Sequence, residues 1–318
     1  MPDQERSSDS TGESIEVWSV LRQERTDVNL DLDLDLDQKS SAVFKKKSDE
    51  VAVEEPLEIR VNHRAVSVTM RTPGHDKELA LGFLLSEGII HQPGDWISAK
   101  HYPRNEFGNV IDVFLNPDLD IDFKKLTRHV FGSSSCGLCG KATLDSILDL
   151  APELACEGSK DPLEKESKSG SESGSESESD TAWVSPEVLW KVADSVKNEQ
   201  ITFHRTGGLH ASAVIDSTGE IIILREDVGR HNALDKALGY GLINKLLPYK
   251  KKILWVSGRT SFEIMQKAWA GGVEVVAGVS APSSLAVALA KKTGQTLIGF
   301  LRPGRFNIYS GAWRILKA

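Results

Sequence analysis

Between Lys168 and Asp180 the chain reads KSGSESGSESESD, a run without one hydrophobic side chain. Such a run cannot offset the entropy of ordering its backbone by burying apolar surface, so it cannot belong to a packed core. The Ser/Glu character extends over residues 157–181 and predicts a disordered, passive insert that divides the chain into two foldable blocks. A second stretch of this kind lies at the N-terminus. Asp31–Asp37 alternates Asp with Leu, but its uniform negative charge opposes strand pairing, so residues 1–49 are expected to be a disordered acidic tail. What remains is an α+β block over 50–156 and an α/β block over 182–318.

In the first block, Leu57–Val61 and Ala65–Thr69 read as strands around an Asn62-His63-Arg64 turn. Asp76 reads as the cap of a helix stopped by Gly88, and Asn109–Leu115 as a further strand. In the second block, Ser185-Pro186-Glu187 is a helix start. Ala211–Ile215 and Glu220–Leu224 pair as a hairpin, and Asn232–Leu238 is a short helix ended by Gly239. Strands at Ile253–Val256, Val273–Ala277 and Thr296–Phe300 then alternate with helices at Ser261–Ala270 and Ser283–Lys292. That alternation predicts a sheet flanked by helices with some parallel pairing.

Composition narrows the function classes. With a net charge of -8 the chain lacks the basic field of a nucleic-acid binder. Three cysteines in 318 residues argue for a reducing compartment rather than a disulfide framework. The acidic N-terminus lacks the basic and apolar regions of a signal peptide. The most apolar window, Ala268–Ala290, is broken by Glu274, several glycines and Pro282, so a strand, turn and helix explain it better than a membrane span. The expectation is a soluble, cytoplasmic protein with no membrane association.

The sharpest chemical feature is Ser133-Ser134-Ser135-Cys136-Gly137-Leu138-Cys139-Gly140, followed by a helical pattern from Lys141. Thiols on a glycine-rich loop at a helix start, with Lys141 adjacent, favour the thiolate, and the flanking glycines leave the sulfurs open to approach. A thiolate there can attack a persulfide and hold its outer sulfur. Structural zinc needs four ligands, and only Cys156 remains to join the pair, so no metal site is expected. A thioredoxin-type redox pair is the other reading of the spacing.

Further clusters sit at element ends, where sites usually lie. These are Thr206–Ser212 with His210, Arg225–Asn232 with His231, and Ser257-Gly258-Arg259 opening a helix. The last is Phe300-Leu301-Arg302-Pro303-Gly304-Arg305 beyond the final strand. His210 and His231 are acid/base or cofactor contacts, or merely hydrogen-bonding turn residues. The Ser257–Arg259 loop and the two arginines of the 300–305 turn suit a diphosphate, and two such loops after strands of one sheet suggest a nucleotide crevice.

Together these stretches resemble the FdhD family. The matching pieces are Glu55-Pro56-Leu57, Arg71-Thr72-Pro73-Gly74 with the helix reaching Gly88-Ile89-Ile90, Cys136–Gly140, Gly207–His210, Arg225–Lys236, Ser257–Arg259, Gly278–Pro282 and Gly299-Phe300. The resemblance implies a cytidine-deaminase-like mixed sheet flanked by helices and a homodimer. It also implies a sulfurtransferase that takes persulfide sulfur from a cysteine desulfurase. The sulfur is delivered to the molybdenum or tungsten bis-guanine-dinucleotide cofactor, bound as substrate, so that formate dehydrogenase becomes active. By likeness Cys136 is the persulfide carrier, Cys139 its partner, and Phe300–Arg305 the cofactor-binding stretch. Two alternatives stand beside this one: a chaperone that binds the cofactor without moving sulfur, and a zinc-dependent deaminase. The deaminase chemistry wants His-x-Glu before Pro-Cys-x-x-Cys; here His210 is followed by Ala211 and Ser212, and the Cys pair precedes it.

Overall fold

The computed structural model describes residues 14–25, 42–102, 108–119 and 182–317. The Cys-Gly-Leu-Cys loop, Cys156, the Asp/Leu run and the Ser/Glu insert lie outside these residues. The two blocks meet across one continuous core.

In the first block, β3 (Glu55–Val61), β4 (Arg64–Arg71), β5 (Trp96–His101) and β6 (Val110–Leu115) form a sheet in the order β4-β3-β6-β5. The helix α1 (Asp76–Ser86) packs on it. The second block holds a six-stranded sheet in the order β12-β11-β10-β9-β7-β8. Its strands are β7 (His210–Ile215), β8 (Ile221–Asp227), β9 (Ile253–Val256), β10 (Val275–Gly278), β11 (Thr296–Arg302) and β12 (Arg305–Ser310). Strands β9, β10 and β11 are parallel, and β7, β8 and β12 are antiparallel to their neighbours. This is a mixed sheet flanked by helices beside a smaller α+β part, as the alternation of patterns predicts.

The period-two pattern explains both faces of the large sheet. Ile253 and Trp255, Val275 and Ala277, and Ile298 join a core with Leu189, Val192 and Val196 of α2 (Pro186–Glu199). Leu254 and Val256, Val276, and Leu297 point the other way. There they meet α4 (Arg230–Ile243), α5 (Phe262–Ala270) and α6 (Ser284–Thr293), together with α1 and the small sheet. Helices α1 and α4 lie between two layers, which is why residues on nearly every side of both are buried, Asp235 and Lys236 of α4 among them.

Several elements depart from expectation. Gly239 does not end its helix; α4 runs on to Ile243. A Cβ on Gly239 would lie 1.8 Å from the Glu78 carbonyl oxygen, and one on Gly82 of α1 would lie 1.8 Å from the Asp235 carbonyl oxygen. These glycines let two helix backbones touch, and that close approach is why they sit in helix interiors. Asp76 does not cap α1. It is the first helical residue, and its carboxylate accepts two hydrogen bonds from Arg71, at 2.9 and 3.0 Å, while His75 occupies the cap position. Where a tail was expected over 1–49, β1 (Ile15–Arg25) and β2 (Ala42–Ala52) pair as an antiparallel ladder. Arg205 holds Glu50 of β2 through two hydrogen bonds, at 2.8 and 2.7 Å. That contact comes from α3 (Ile201–Thr206), whose first N–H groups, on Thr202 and Phe203, are accepted by the distant Glu226 carboxylate.

Candidate functional site at the carboxyl edge of the large sheet

Because β9, β10 and β11 run parallel, their carboxyl ends share one edge of the sheet. Strand β7 is antiparallel to β9 and begins at that edge; β8 pairs His210 with Asp227 and ends there. The four described clusters, remote in sequence, therefore meet at one place: His210, Asp227–His231, Ser257–Thr260 and Phe300–Arg305. In open α/β sheets this is where ligands bind.

At one end of the edge, the β11–β12 turn forms a pocket of about 370 Å³ lined by Phe300, Arg302, Arg305 and Asn307. Phe300 stands 44% exposed with a left-handed backbone (φ 53°), and its N–H donates to the Ser280 carbonyl at 3.2 Å. Gly299 permits this, since a Cβ there would sit 2.9 Å from the Tyr309 ring and 3.0 Å from Pro282 Cδ. Arg302 donates through Nη1 to the carbonyls of Val279 (2.7 Å) and Leu301 (2.8 Å), which ties the arginine turn to the loop after β10. Pro303 and Gly304 (φ 76°) make the tight turn itself. Leu301 is 1% exposed and belongs to the core, so it contributes packing rather than a ligand contact.

At the other end, the Ser257 hydroxyl accepts the Ala211 N–H at 2.9 Å and lies 3.4 Å from His210 Nδ1. Gly258 lies against both the His210 ring and the Arg230 side chain. His231 Nε2 lies 2.9 Å from Glu263 and 3.4 Å from the Ser261 hydroxyl. Arg259 is exposed on the loop between β9 and α5. Burial, then the charges of Arg230 and His231, hold the His210 imidazole below its ordinary 6.5, against the opposing pull of Asp227.

That shift has a definite sign. Between its lowered folded value and 6.5, the unfolded chain binds more protons at His210 than the folded one, so stability rises with pH across that window and is lost on acidification. His75 shifts in the same direction. Assigned imidazole resonances followed against pH are expected to show His210 titrating below 6.5, and His210→Gln is expected to flatten the acid side of the stability curve. An imidazole titrating above 6.5 would contradict this account.

The stretch Arg225–Asn232, predicted as one cluster, proves with the residues that follow it to Lys236 to be largely framework. Arg225 makes two bonds to Glu78, at 2.5 and 2.7 Å. Asp227 is fully buried and accepts from Lys236 (2.7 Å), the Gly229 N–H (2.8 Å), Asn232 (3.0 Å) and the Thr72 N–H (3.2 Å). Asn232 also donates to the Met70 carbonyl, and Asp235 is paired with Lys267. These bonds lock the first block against the second. Asn307, Glu263 and Arg230 are the site residues that reading the sequence did not single out. Their signal lies in partners far along the chain. Cys136 and Cys139 lie outside the described residues.

Comparison with known proteins gives a consistent picture. The family model described as FdhD/NarQ family matches residues 52–316. A protein of Streptomyces coelicolor named sulfur carrier protein FdhD is 43% identical over 272 residues, 84% of this chain and 89% of that one. The protein of the same name from Mycobacterium tuberculosis is 42% identical over 273 residues, 83% of this chain and 91% of that one. That from Saccharolobus solfataricus is 38% identical over 273 residues, covering 85% and 92%. Among solved structures, a formate dehydrogenase accessory protein from Desulfotalea psychrophila shares the fold, with a TM-score of 0.62 at 21% identity, over 94% of this chain and 99% of that one.

Proposed function

This chain belongs to the FdhD/NarQ family, and from that membership we propose that it is a sulfur carrier in formate dehydrogenase maturation. The donor is a cysteine desulfurase. The acceptor, bound as substrate, is the molybdenum or tungsten bis-guanine-dinucleotide cofactor of the enzyme being matured. The observation that carries the reading is the convergence of remote motif stretches on one sheet edge that ends in an arginine-lined pocket. Arg302 and Arg305 suit a diphosphate there because a guanidinium offers paired donors in a fixed fork. Phe300 offers an exposed ring face for a base. Ser257–Arg259, His210 and His231 line the same edge.

The sulfur moves in two balanced steps. The Cys136 thiolate attacks the outer sulfur of the donor persulfide: the donor's S–S bond breaks, a new S–S bond forms on Cys136, and the donor leaves as a thiolate. The Cys139 thiolate then attacks the inner sulfur on Cys136. A Cys136–Cys139 disulfide forms, its formation supplies two electrons, and the outer sulfur leaves as hydrosulfide to become a metal ligand. A homodimer is the assembly proposed for this exchange. No helix among the described residues is long and apolar enough to cross a membrane.

Mass spectrometry of the chain after incubation with a cysteine desulfurase and cysteine tests the relay. One added sulfur atom is expected on Cys136, and it is expected to be absent from Cys136→Ala. If neither cysteine gains sulfur, the relay is wrong. If the double alanine variant still activates formate dehydrogenase, the protein is a non-catalytic cofactor chaperone instead.

A further inference from the structure

We propose that Arg230, flanked by His210 and His231, forms a second oxyanion subsite on the same sheet edge, separate from the Phe300–Asn307 pocket, and that it takes the phosphate of a nucleotide. The inference rests on the reading above that this edge accepts a nucleotide-bearing substrate.

The first argument is elimination along one segment. Arg225 pairs with Glu78, Glu226 with the start of α3, Asp227 with Lys236, His231 with Glu263, and Asp235 with Lys267. Arg230 is the exception. Its Nε is buried with no hydrogen-bond partner among the described residues. A buried guanidinium nitrogen without an acceptor costs free energy, and a fold that satisfies every neighbouring charge has had ample opportunity to satisfy this one. An anion that reached this nitrogen would supply the acceptor that the described residues do not.

The second argument is the surroundings. The Arg230 side chain meets Gly258, and so does the His210 ring: a Cβ on Gly258 would lie 3.4 Å from His210 Nδ1 and 3.7 Å from Arg230 Cδ. Helices α4 and α5, of 14 and 9 residues, both begin at this edge, and neither cap residue, Gly229 or Ser261, gives a side-chain hydrogen bond to the free amides. The first turn of α4 carries no acidic residue, and the Glu263 carboxylate in that of α5 is taken by His231. Asp227 and Glu263, the carboxylates nearest Arg230, are each held by hydrogen bonds to other groups, so neither gives its Nε an acceptor. Burial first, and then the charges of Arg230 and His231, lower the titration of His210, which places the three groups close enough to share one anion.

Spacing separates the two subsites. Strand β7 and strand β11 are three strand positions apart in the sheet, roughly 14 Å at the usual interstrand distance. One phosphate cannot touch both. A ligand with more than one phosphate-bearing arm can occupy both.

The test titrates the full chain with pyrophosphate and with GDP by calorimetry, in wild type, Arg230→Gln and Arg305→Gln, with thermal melts of each protein alone. Arg230→Gln is expected to weaken pyrophosphate binding about tenfold or more, the effect of losing a charge-assisted hydrogen bond. Its melting temperature without ligand is expected to stay level or rise, because Nε has no hydrogen-bond partner among the described residues to lose. In wild type, pyrophosphate is expected to raise the His210 titration point, which a purely structural arginine would not produce. Unaltered pyrophosphate affinity in Arg230→Gln, a wild-type chain that binds none, or a lower melting temperature for the variant each overturns the subsite. GDP binding that ignores Arg305→Gln counts instead against the nucleotide reading of the Phe300–Asn307 pocket, and leaves Arg230 to be judged on pyrophosphate.

Discussion

Asp235→Ala is expected to destabilise the protein by about 3–5 kcal/mol, a large share of the roughly 5–15 kcal/mol by which ordinary chains are stable. Asp235 and Lys267 are 2% and 8% exposed, and the ammonium reaches both carboxylate oxygens, at 2.9 and 2.8 Å. The Ser86 hydroxyl completes the cluster, lying 3.0 Å from Asp235 and 2.7 Å from Lys267. Three helices, α1, α4 and α5, are joined by it. Burial is the largest influence on both groups and opposes both charges. For Lys267, burial is outweighed by the Asp235 carboxylate together with the charges of Glu87 and Glu263, and the ammonium is held above its ordinary 10.5.

Removing Asp235 therefore strips a buried cation of the carboxylate that is hydrogen-bonded to it, and the more distant Glu87 and Glu263 offset only part of the desolvation penalty. The pair itself is a different matter. Desolvation cancels much of its attraction, so the double replacement Asp235→Leu with Lys267→Met is expected to lie much nearer wild type than either single change. Urea denaturation of the four proteins measures this. Single variants that each cost less than about 1 kcal/mol would show that water reaches the cluster, and the account would fail.

This cluster also shows where sequence reading stops. The β3–β4 and β7–β8 hairpins and the alternation from Ile253 to Phe300 were legible because local periodicity encodes which faces are buried. The same periodicity, with glycines and arginines at strand ends, marked the loops of the carboxyl edge. Asp235 and Lys236 could not be told from surface charges, since the groups that neutralise them, Lys267 and Asp227, are supplied by tertiary packing. Arg230 looked like one charge among many in Arg225–Lys236, and its isolation emerges only when every other member has found its partner. Strand β12 is not anticipated by the sequence pattern, because RFNIYS has no clean alternation and forms an exposed edge. Helix α3 is short and rich in β-branched and aromatic residues, and its amides are accepted by Glu226 from another strand. In the β1–β2 region, charge composition argued for a tail, whereas main-chain pairing and the Arg205–Glu50 contact carry a ladder.

Gly82 and Gly239 set the second large effect, because there two opposing terms can be weighed. Alanine in a helix interior is favoured over glycine by about 1 kcal/mol from backbone entropy alone. Here the added methyl would lie 1.8 Å from a carbonyl oxygen of the facing helix at either position, and the obstructing atom is backbone, not a side chain that can swing away. The helices must part by more than an ångström, opening the core on both sides of α1 and α4. Overpacking of this kind costs about 3 kcal/mol or more and overwhelms the propensity gain. Gly94→Ala is the control, since no atom lies within 4 Å of the added methyl, and it is expected to change stability by less than about 0.5 kcal/mol. Once one substitution has separated the helices, the second meets an interface already open, so Gly82→Ala with Gly239→Ala is expected to cost clearly less than the sum of the two. A Gly82→Ala variant as stable as wild type in urea would mean that the two helix backbones do not touch at these glycines. Arg230 and His231, at the head of α4, would then lose the rigid mount on which the geometry of the site depends.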